Sequence, residues 1–229
     1  MSRHFIKLIV IILVSTNATI ALAQQSEIYR PNQIFVSPLR AFADIVNPGI
    51  EVGYQRAYGK NLATAVSVAR MTDAILKLVP ENNNTIDYTN YKGWRFMVEQ
   101  RYFLTDKKLR VRKYLAADIM LLKVNYDTGA SFTTDTGKNA VYYNDDYHVN
   151  KRNIAANIKY GIQFPVWHFV FDFVGGVGLK YRYVTRSGLI NPNAEQFKAR
   201  HPNIWEATHK AGDEVLPTVT ANIRIAYEF

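Results

Sequence analysis

Hydrophobic and polar positions alternate most strictly at the end of the chain. From Pro217 to Phe229, Val219, Ala221, Ile223, Ile225, Tyr227 and Phe229 interleave with Thr218, Thr220, Asn222, Arg224, Ala226 and Glu228. Period two sends successive side chains to opposite faces of a strand, whereas a helix would scramble them. The same pattern sets Phe169, Phe171, Phe173, Val177, Leu179, Tyr181 and Tyr183 against Asp172, Lys180 and Arg182, with Gly175, Gly176 and Gly178 marking a bend or close backbone approach. It sets Ile154, Ala156, Ile158, Tyr160, Ile162 and Phe164 against Asn153, Ala155, Asn157, Lys159, Gly161 and Gln163. Trp94, Phe96, Val98 and Tyr102 oppose Arg95, Met97, Glu99 and Arg101, which predicts a strand over about 91–103.

Two further segments flank Gly59-Lys60-Asn61 as a hairpin. Ile50, Val52 and Tyr54 face away from Glu51, Gly53 and Gln55 before it, and Leu62, Thr64, Val66 and Val68 away from Ala63, Ala65, Ser67 and Ala69 after it. Residues about 112–126 are less regular: Leu115, Ala117, Ile119 and Leu121 share a face with Lys123, whereas Leu122, Val124 and Tyr126 fall on the other, so a bulge near Leu121-Leu122 is expected. The first strand is expected near Ile34–Ala41, where Pro38 cannot donate to a ladder.

Eight strands result, and the links between them alternate in length. Those at about 58–61, 104–111 and 165–167 are short; those at about 40–48, 72–90, 127–149 and 185–216 are longer. With the N-terminus on one side, every short link falls on that side, as in outer-membrane barrels with short periplasmic turns and long exterior loops. The expected fold is all-β: a closed, antiparallel, eight-stranded up-and-down transmembrane β-barrel.

Period two alone does not say which face points inward. The polar face carries Glu51, Arg95, Glu99, Arg101, Asp118, Lys159, Asp172, Lys180, Arg182 and Arg224, six cations and four anions. In a barrel this narrow, such a set is expected to fill the lumen as an ion-pair network while the apolar face meets lipid. Aromatic residues gather at the strand ends, with Tyr54, Tyr58, Tyr102, Phe103, Phe164, Trp167, Tyr227 and Phe229 on the turn side and Tyr91, Trp94, Tyr126, Tyr181 and Tyr183 on the loop side. These are the expected interfacial girdles.

The N-terminus adds an address. Arg3 and Lys7 precede the apolar run Leu8–Val14, and the small residues Ala21 and Ala23 precede Gln24, which is the pattern of a secretory signal peptide cleaved after Ala23. The run is too short to span a membrane as a helix. Residues 1–23 are therefore expected to be removed, leaving 24–229 as one domain and lowering the formal charge from +9 to +7. Export argues against nucleic acid as partner for that basic excess and in favour of outer-membrane lipids, including anionic lipopolysaccharide. The absence of cysteine removes disulfides, thiolate chemistry and thiolate metal sites.

The ending Ile223-Arg224-Ile225-Ala226-Tyr227-Glu228-Phe229 resembles the C-terminal aromatic signal of outer-membrane β-barrel proteins. The resemblance implies that Tyr227 and Phe229 are read by the barrel-assembly machinery. The segment 24–229 as a whole is similar to the small eight-stranded Gram-negative barrels typified by the OmpA membrane domain and OmpX. Asn47-Pro48-Gly49-Ile50-Glu51-Val52-Gly53-Tyr54-Gln55-Arg56 also resembles barrel proteins of Bacteroidetes. No stretch resembling OmpA's peptidoglycan-binding domain is present, so that anchoring role is not implied.

Candidate chemistry is sparse. Enzymatic outer-membrane barrels pair serine with histidine to cleave lipid esters, so each histidine bears on function. His4 leaves with the signal peptide, His168 lies at a strand start, His148 near an outer strand end, and His201 and His209 in the last long link. Around the last two lie Glu206, Thr208, Asp213 and Glu214, but the nearest serine is Ser187, and the spacing fits no compact metal-ligand pattern. Gly175-Gly176-Val177-Gly178 opens no helix and is no phosphate cradle. Asn82-Asn83-Asn84 and Tyr142-Tyr143-Asn144-Asp145-Asp146-Tyr147 suit exposed loops. The sequence thus leads to a monomeric barrel of structural or surface-interaction type, without cofactor, metal or catalytic residues. A lipid-modifying barrel enzyme and a soluble periplasmic carrier of an apolar ligand stand as the alternatives. A histidine paired with serine or carboxylate on the outer wall would favour the enzyme.

Overall fold

The computed structural model describes residues 32–38, 49–58, 61–72, 89–104, 111–133, 142–190, 195–199 and 211–229. The expected signal peptide, with Ala21 and Ala23, Asn82-Asn83-Asn84, and His201 and His209 lie outside the described residues. The strands are β1 (Asn32–Ser37), β2 (Ile50–Tyr58), β3 (Leu62–Thr72), β4 (Thr89–Phe103), β5 (Arg112–Thr133), β6 (Tyr142–Val166), β7 (Phe169–Ser187), β8 (Glu195–Ala199) and β9 (Gly212–Glu228).

Eight of these close into a ring. Sequential neighbours pair from β1 to β7, β9 follows β7, and β9 returns to β1 through Gln33 opposite Glu228 and Val36 opposite Ile225. Every ladder is antiparallel. The short β8 lies outside the ring and was not expected from the sequence. It pairs with β5 at Ala130–Thr133, beyond the point where Thr89 ends the β4 ladder opposite Asp127.

Alternation sets the faces as expected through most of the ring. Ile158, Val177, Leu179 and Val219 point outward, the last 72% exposed, while the residues between them point in. On β5 the outward face runs Lys113, Leu115, Ala117, Ile119, Leu121, Lys123. The ten residue steps from Lys113 to Lys123 make about 33 Å of strand, or about 25 Å of height at a barrel tilt of about 40°, the thickness of a transmembrane apolar band.

Above Lys123 the polarity reverses. The expected bulge at Leu121-Leu122 does not exist: β5 pairs with β4 without interruption from Tyr114 to Val124, and its ladder with β6 is continuous. Instead Leu122, Val124 and Tyr126 stay in phase and point inward, where they pack with Met71, Tyr91, Tyr147, Val149 and Val184. Outward at that height stand Asn125, Asp127, His148 and Asn150. Along β5 the apolar face thus passes from the outside of the ring to the inside, and the outer face becomes polar.

The same reversal corrects the expected long link at 127–149. β5 continues to Thr133 and β6 starts at Tyr142, so Tyr142–Tyr147 is strand, not loop. Asp146 is exposed on its outer face between buried Asp145 and Tyr147, and a strand wetted in this way has the composition of a loop. β1 stops at Ser37, immediately before Pro38.

Close packing of β6 on β7 depends on glycine. A Cβ on Gly178 would collide with the carbonyl oxygen of Ala156 and with Asn157, whereas a Cβ on Gly175 has the Thr220 carbonyl oxygen at 3.8 Å as its nearest neighbour. Gly178→Ala is therefore expected to destabilise by about 1–3 kcal/mol in urea unfolding, as overpacking does, and Gly175→Ala to change stability by less than about 0.5 kcal/mol.

Candidate functional site

The most concentrated chemistry lies across the lumen. Glu99 on β4, fully buried, receives Arg101 Nε at 2.7 Å, Lys159 Nζ at 2.8 Å, and Arg224 Nη1 and Nη2 at 2.8 and 3.0 Å. Asp172 on β7 accepts from Arg101 Nη1 at 2.9 Å and from the Tyr114 hydroxyl at 2.7 Å, with Arg224 Nη1 3.7 Å away. Asp118 on β5 pairs with Lys159 and accepts from Asn157 Nδ2 at 2.6 Å. Three acids and three bases from five strands thus form one neutral node.

Aromatic rings floor this node. Arg101 lies 4.6 Å over the Tyr114 ring and Arg224 5.1 Å over Phe35. The Tyr114 ring lies against Gly161, where a side chain would leave it no room. Such stacked guanidinium groups gain attraction in a dry setting.

The remaining expected network residues belong elsewhere. Glu51 and Arg95 form a separate pair at 4.0 Å; the Ser37 hydroxyl donates to Glu51 at 3.5 Å and accepts from Asn222 Nδ2 at 3.1 Å. Arg182 pairs with Glu214, and Lys180 is half-buried on the same inward face. A third group missed by the sequence reading sits at the turn end, where Arg112 pairs with Glu228, which also accepts from Gln33 Nε2 at 2.6 Å. Alternation already puts Glu228 on the polar face with Arg224 and Asn222; its meeting with Arg112, more than a hundred residues away in the chain, is set by the ring.

Three girdle expectations are corrected: Tyr91, Phe103 and Tyr126 point into the barrel and are buried. Tyr91 and Tyr126 pack in the reversed outer region, and Phe103 lies against Tyr114 with ring centroids 5.5 Å apart. Tyr54, Tyr102, Phe164, Trp167, Tyr227 and Phe229 are exposed at the turn end, as are Trp94 and Tyr183 towards the other; Tyr58 and Tyr181 are half-buried. Tyr227 is flanked by His168 at 5.6 Å, Phe169 at 5.7 Å and Phe229 at 6.5 Å.

Register assembles a second group on the outer wall. Arg70, Trp94, Lys123, Arg152, Tyr183 and Asp213 stand side by side on β3, β4, β5, β6, β7 and β9, all outward. Two steps up lie Asn125, Asn150 and Thr185, and two further up Asp127, His148 and Ser187. His148 Nδ1 is 2.7 Å from Asp127 Oδ1, and Asn90 Nδ2 donates to Asp127 Oδ2 at 2.5 Å. The bond from Asn90, then that from His148, holds the Asp127 carboxyl below its ordinary range. The sequence offered no sign of this row, because its three members lie far apart in the chain.

The fold and faces define a class: a closed eight-stranded barrel, ionic within and apolar without at mid-height. No family model matches the chain, and no curated protein matches it. Among solved structures, a major outer membrane protein from Thermus thermophilus matches at 13% identity and TM-score 0.38, covering 86% of this chain and 99% of that one. The fold described above rests on the strand pairing rather than on that likeness.

Because Glu99 holds three cations, Glu99→Gln leaves them short of counter-charge in the lumen. The expected cost is about 3–5 kcal/mol in urea unfolding of the folded protein, as when one partner of a buried pair is removed.

Proposed function

We propose that this chain is a monomeric outer-membrane barrel protein of structural or surface-interaction type. Its N-terminal segment serves as the export signal, Tyr227 and Phe229 serve recognition by the barrel-assembly machinery, and its belt is solvated by outer-membrane lipids. One observation carries the reading: on β5 and β6 the outward face is apolar over one bilayer-thick span and polar beyond it, with the inward face changing in the opposite sense. A barrel in uniform water has no reason to change sides along a strand, whereas one rising out of hydrocarbon must.

The soluble carrier fares worse on the same ground. An apolar ligand needs a greasy cavity, and at mid-height the interior holds the Glu99 node. A ring of eight strands has room for little beyond its own side chains, which disfavours a wide channel.

Fractionation tests the proposal. The protein is expected in the detergent-extracted outer-membrane fraction, with gel migration that changes on heating and no conductance in planar bilayers. Release from washed cells without detergent would refute it.

A second reading, a hydrolase acting on esters at the cell surface, is favoured by the Asp127–His148–Ser187 row. A carboxylate orienting a histidine that stands next to a serine is the arrangement nucleophilic catalysis uses. Among the described residues no hydrogen bond joins Ser187 to the ring, so the row would need tightening on substrate. That reading predicts labelling by a fluorophosphonate probe that disappears in Ser187→Ala; equal labelling of both proteins, or none, eliminates it.

A further inference from the structure

We propose that the outer wall of β3 to β6 is a binding site for the phosphorylated saccharide headgroup of an outer-leaflet glycolipid, the lipopolysaccharide class. The inference rests on the outer-membrane reading and assigns residues to one partner within it.

Four outward cations, Arg70, Lys92, Lys123 and Arg152, lie at the upper edge of the apolar belt on four consecutive strands. Arg70, Lys123 and Arg152 stand in one cross-strand row with Trp94 between the first two, and the Arg70 guanidinium lies 4.3 Å over the Trp94 ring. With strands about 4.8 Å apart, the row from Arg70 to Arg152 is about 14 Å long. That length suits a headgroup with more than one phosphate better than a single anion.

Among the described residues, no carboxylate forms an ion pair with Arg70, Lys123 or Arg152; of the two acids higher on this wall, Asp127 is engaged by Asn90 and His148, and Asp146 stands two residues beyond His148. The row also has a side: beyond Arg152 it continues as Tyr183 and then Asp213, so the positive arc ends where β7 begins. Interfacial snorkelling alone has no reason to favour one side.

Height adds the second part of the assignment. Phosphates sit just above the acyl chains, where guanidinium and ammonium groups can make charge-assisted hydrogen bonds to them. Above that level a glycolipid presents sugar hydroxyls and a phospholipid presents almost nothing. This wall continues upward with Asn125 and Asn150, and Thr185 stands beside Asn150 on β7; these amide and hydroxyl groups can donate and accept.

The test is binding of rough-type lipopolysaccharide to the protein folded in detergent, read by native mass spectrometry. Wild type is expected to bind at least tenfold more tightly than the triple variant Arg70→Gln, Lys123→Gln, Arg152→Gln, and to lose affinity as salt is raised. Dephosphorylated glycolipid and phosphatidylglycerol are each expected to bind at least tenfold more weakly than the intact glycolipid. The control Arg56→Gln, Lys113→Gln, at the opposite edge of the belt, is expected to match wild type. Equal binding by the triple variant, an equal loss in the control, equal binding of phosphatidylglycerol, or displacement by equimolar inorganic phosphate would each overturn the proposal. Heat-modifiable migration separates the two levels of failure. A folded barrel indifferent to the arc sinks this inference alone, whereas a chain that never folds in detergent sinks the outer-membrane reading beneath it.

Discussion

Charge neutrality inside a narrow ring is the condition on which the structure depends. Glu99 alone would be intolerable there, since an ion removed from water retains a penalty of several kcal/mol even after relaxation. It is held because Arg101, Lys159 and Arg224 converge on it, and because Asp118 and Asp172 supply the two further negative charges that three cations require. These six side chains come from β4, β5, β6, β7 and β9, so the node ties together strands on opposite sides of the ring. Long flexible cations make this possible; shorter residues could not reach across.

The apolar exterior is the counterpart of that ionic interior. Antiparallel ladders join each strand to the next around the ring, with β9 meeting β1 between Ile225 and Glu228. Where outward side chains must be polar near the turn end, they satisfy one another: Gln100 accepts from the Tyr58 hydroxyl at 2.8 Å and from Thr64 at 2.7 Å. Above the belt the requirement is lifted, and Leu122, Val124, Tyr126, Tyr147 and Val149 cap the ionic lumen with a packed apolar layer.

The two outer-wall features, the cationic arc and the Asp127–His148–Ser187 row, are products of register. Neither is a motif. The arc arises because Arg70, Lys123 and Arg152 fall in register at the edge of the belt, and the row because β5 and β6 run past it with polar residues in phase with β7. The surface they share is one continuous panel, with cations nearest the apolar belt and hydrogen-bonding groups farther out. A panel of that layout suits a partner that is itself anionic below and hydroxylated above.

Much of this was legible beforehand. The faces of Phe171, Ile223 and Ile225 outward and of Arg95, Glu99 and Arg224 inward follow from alternation, and the sidedness of the links follows from their lengths. The true ends of β5 and β6 did not, because a strand wet on its outer face has the composition of a loop. Nor was the polarity reversal above Leu121 separable from a bulge, since both put apolar residues at positions that alternation assigns to the polar face. The inward turn of Tyr91, Phe103 and Tyr126 was missed because an aromatic ring suits a lipid interface and a packed interior equally. Alternation is a property of one strand and is written in its residues, so the sequence by itself determined which side chains of a strand share a face. Partnership is a property of several strands at once, set by ring closure and by the reach of side chains across the lumen, so only the tertiary structure decided that Glu99 meets Arg224 and that Asp127 meets His148.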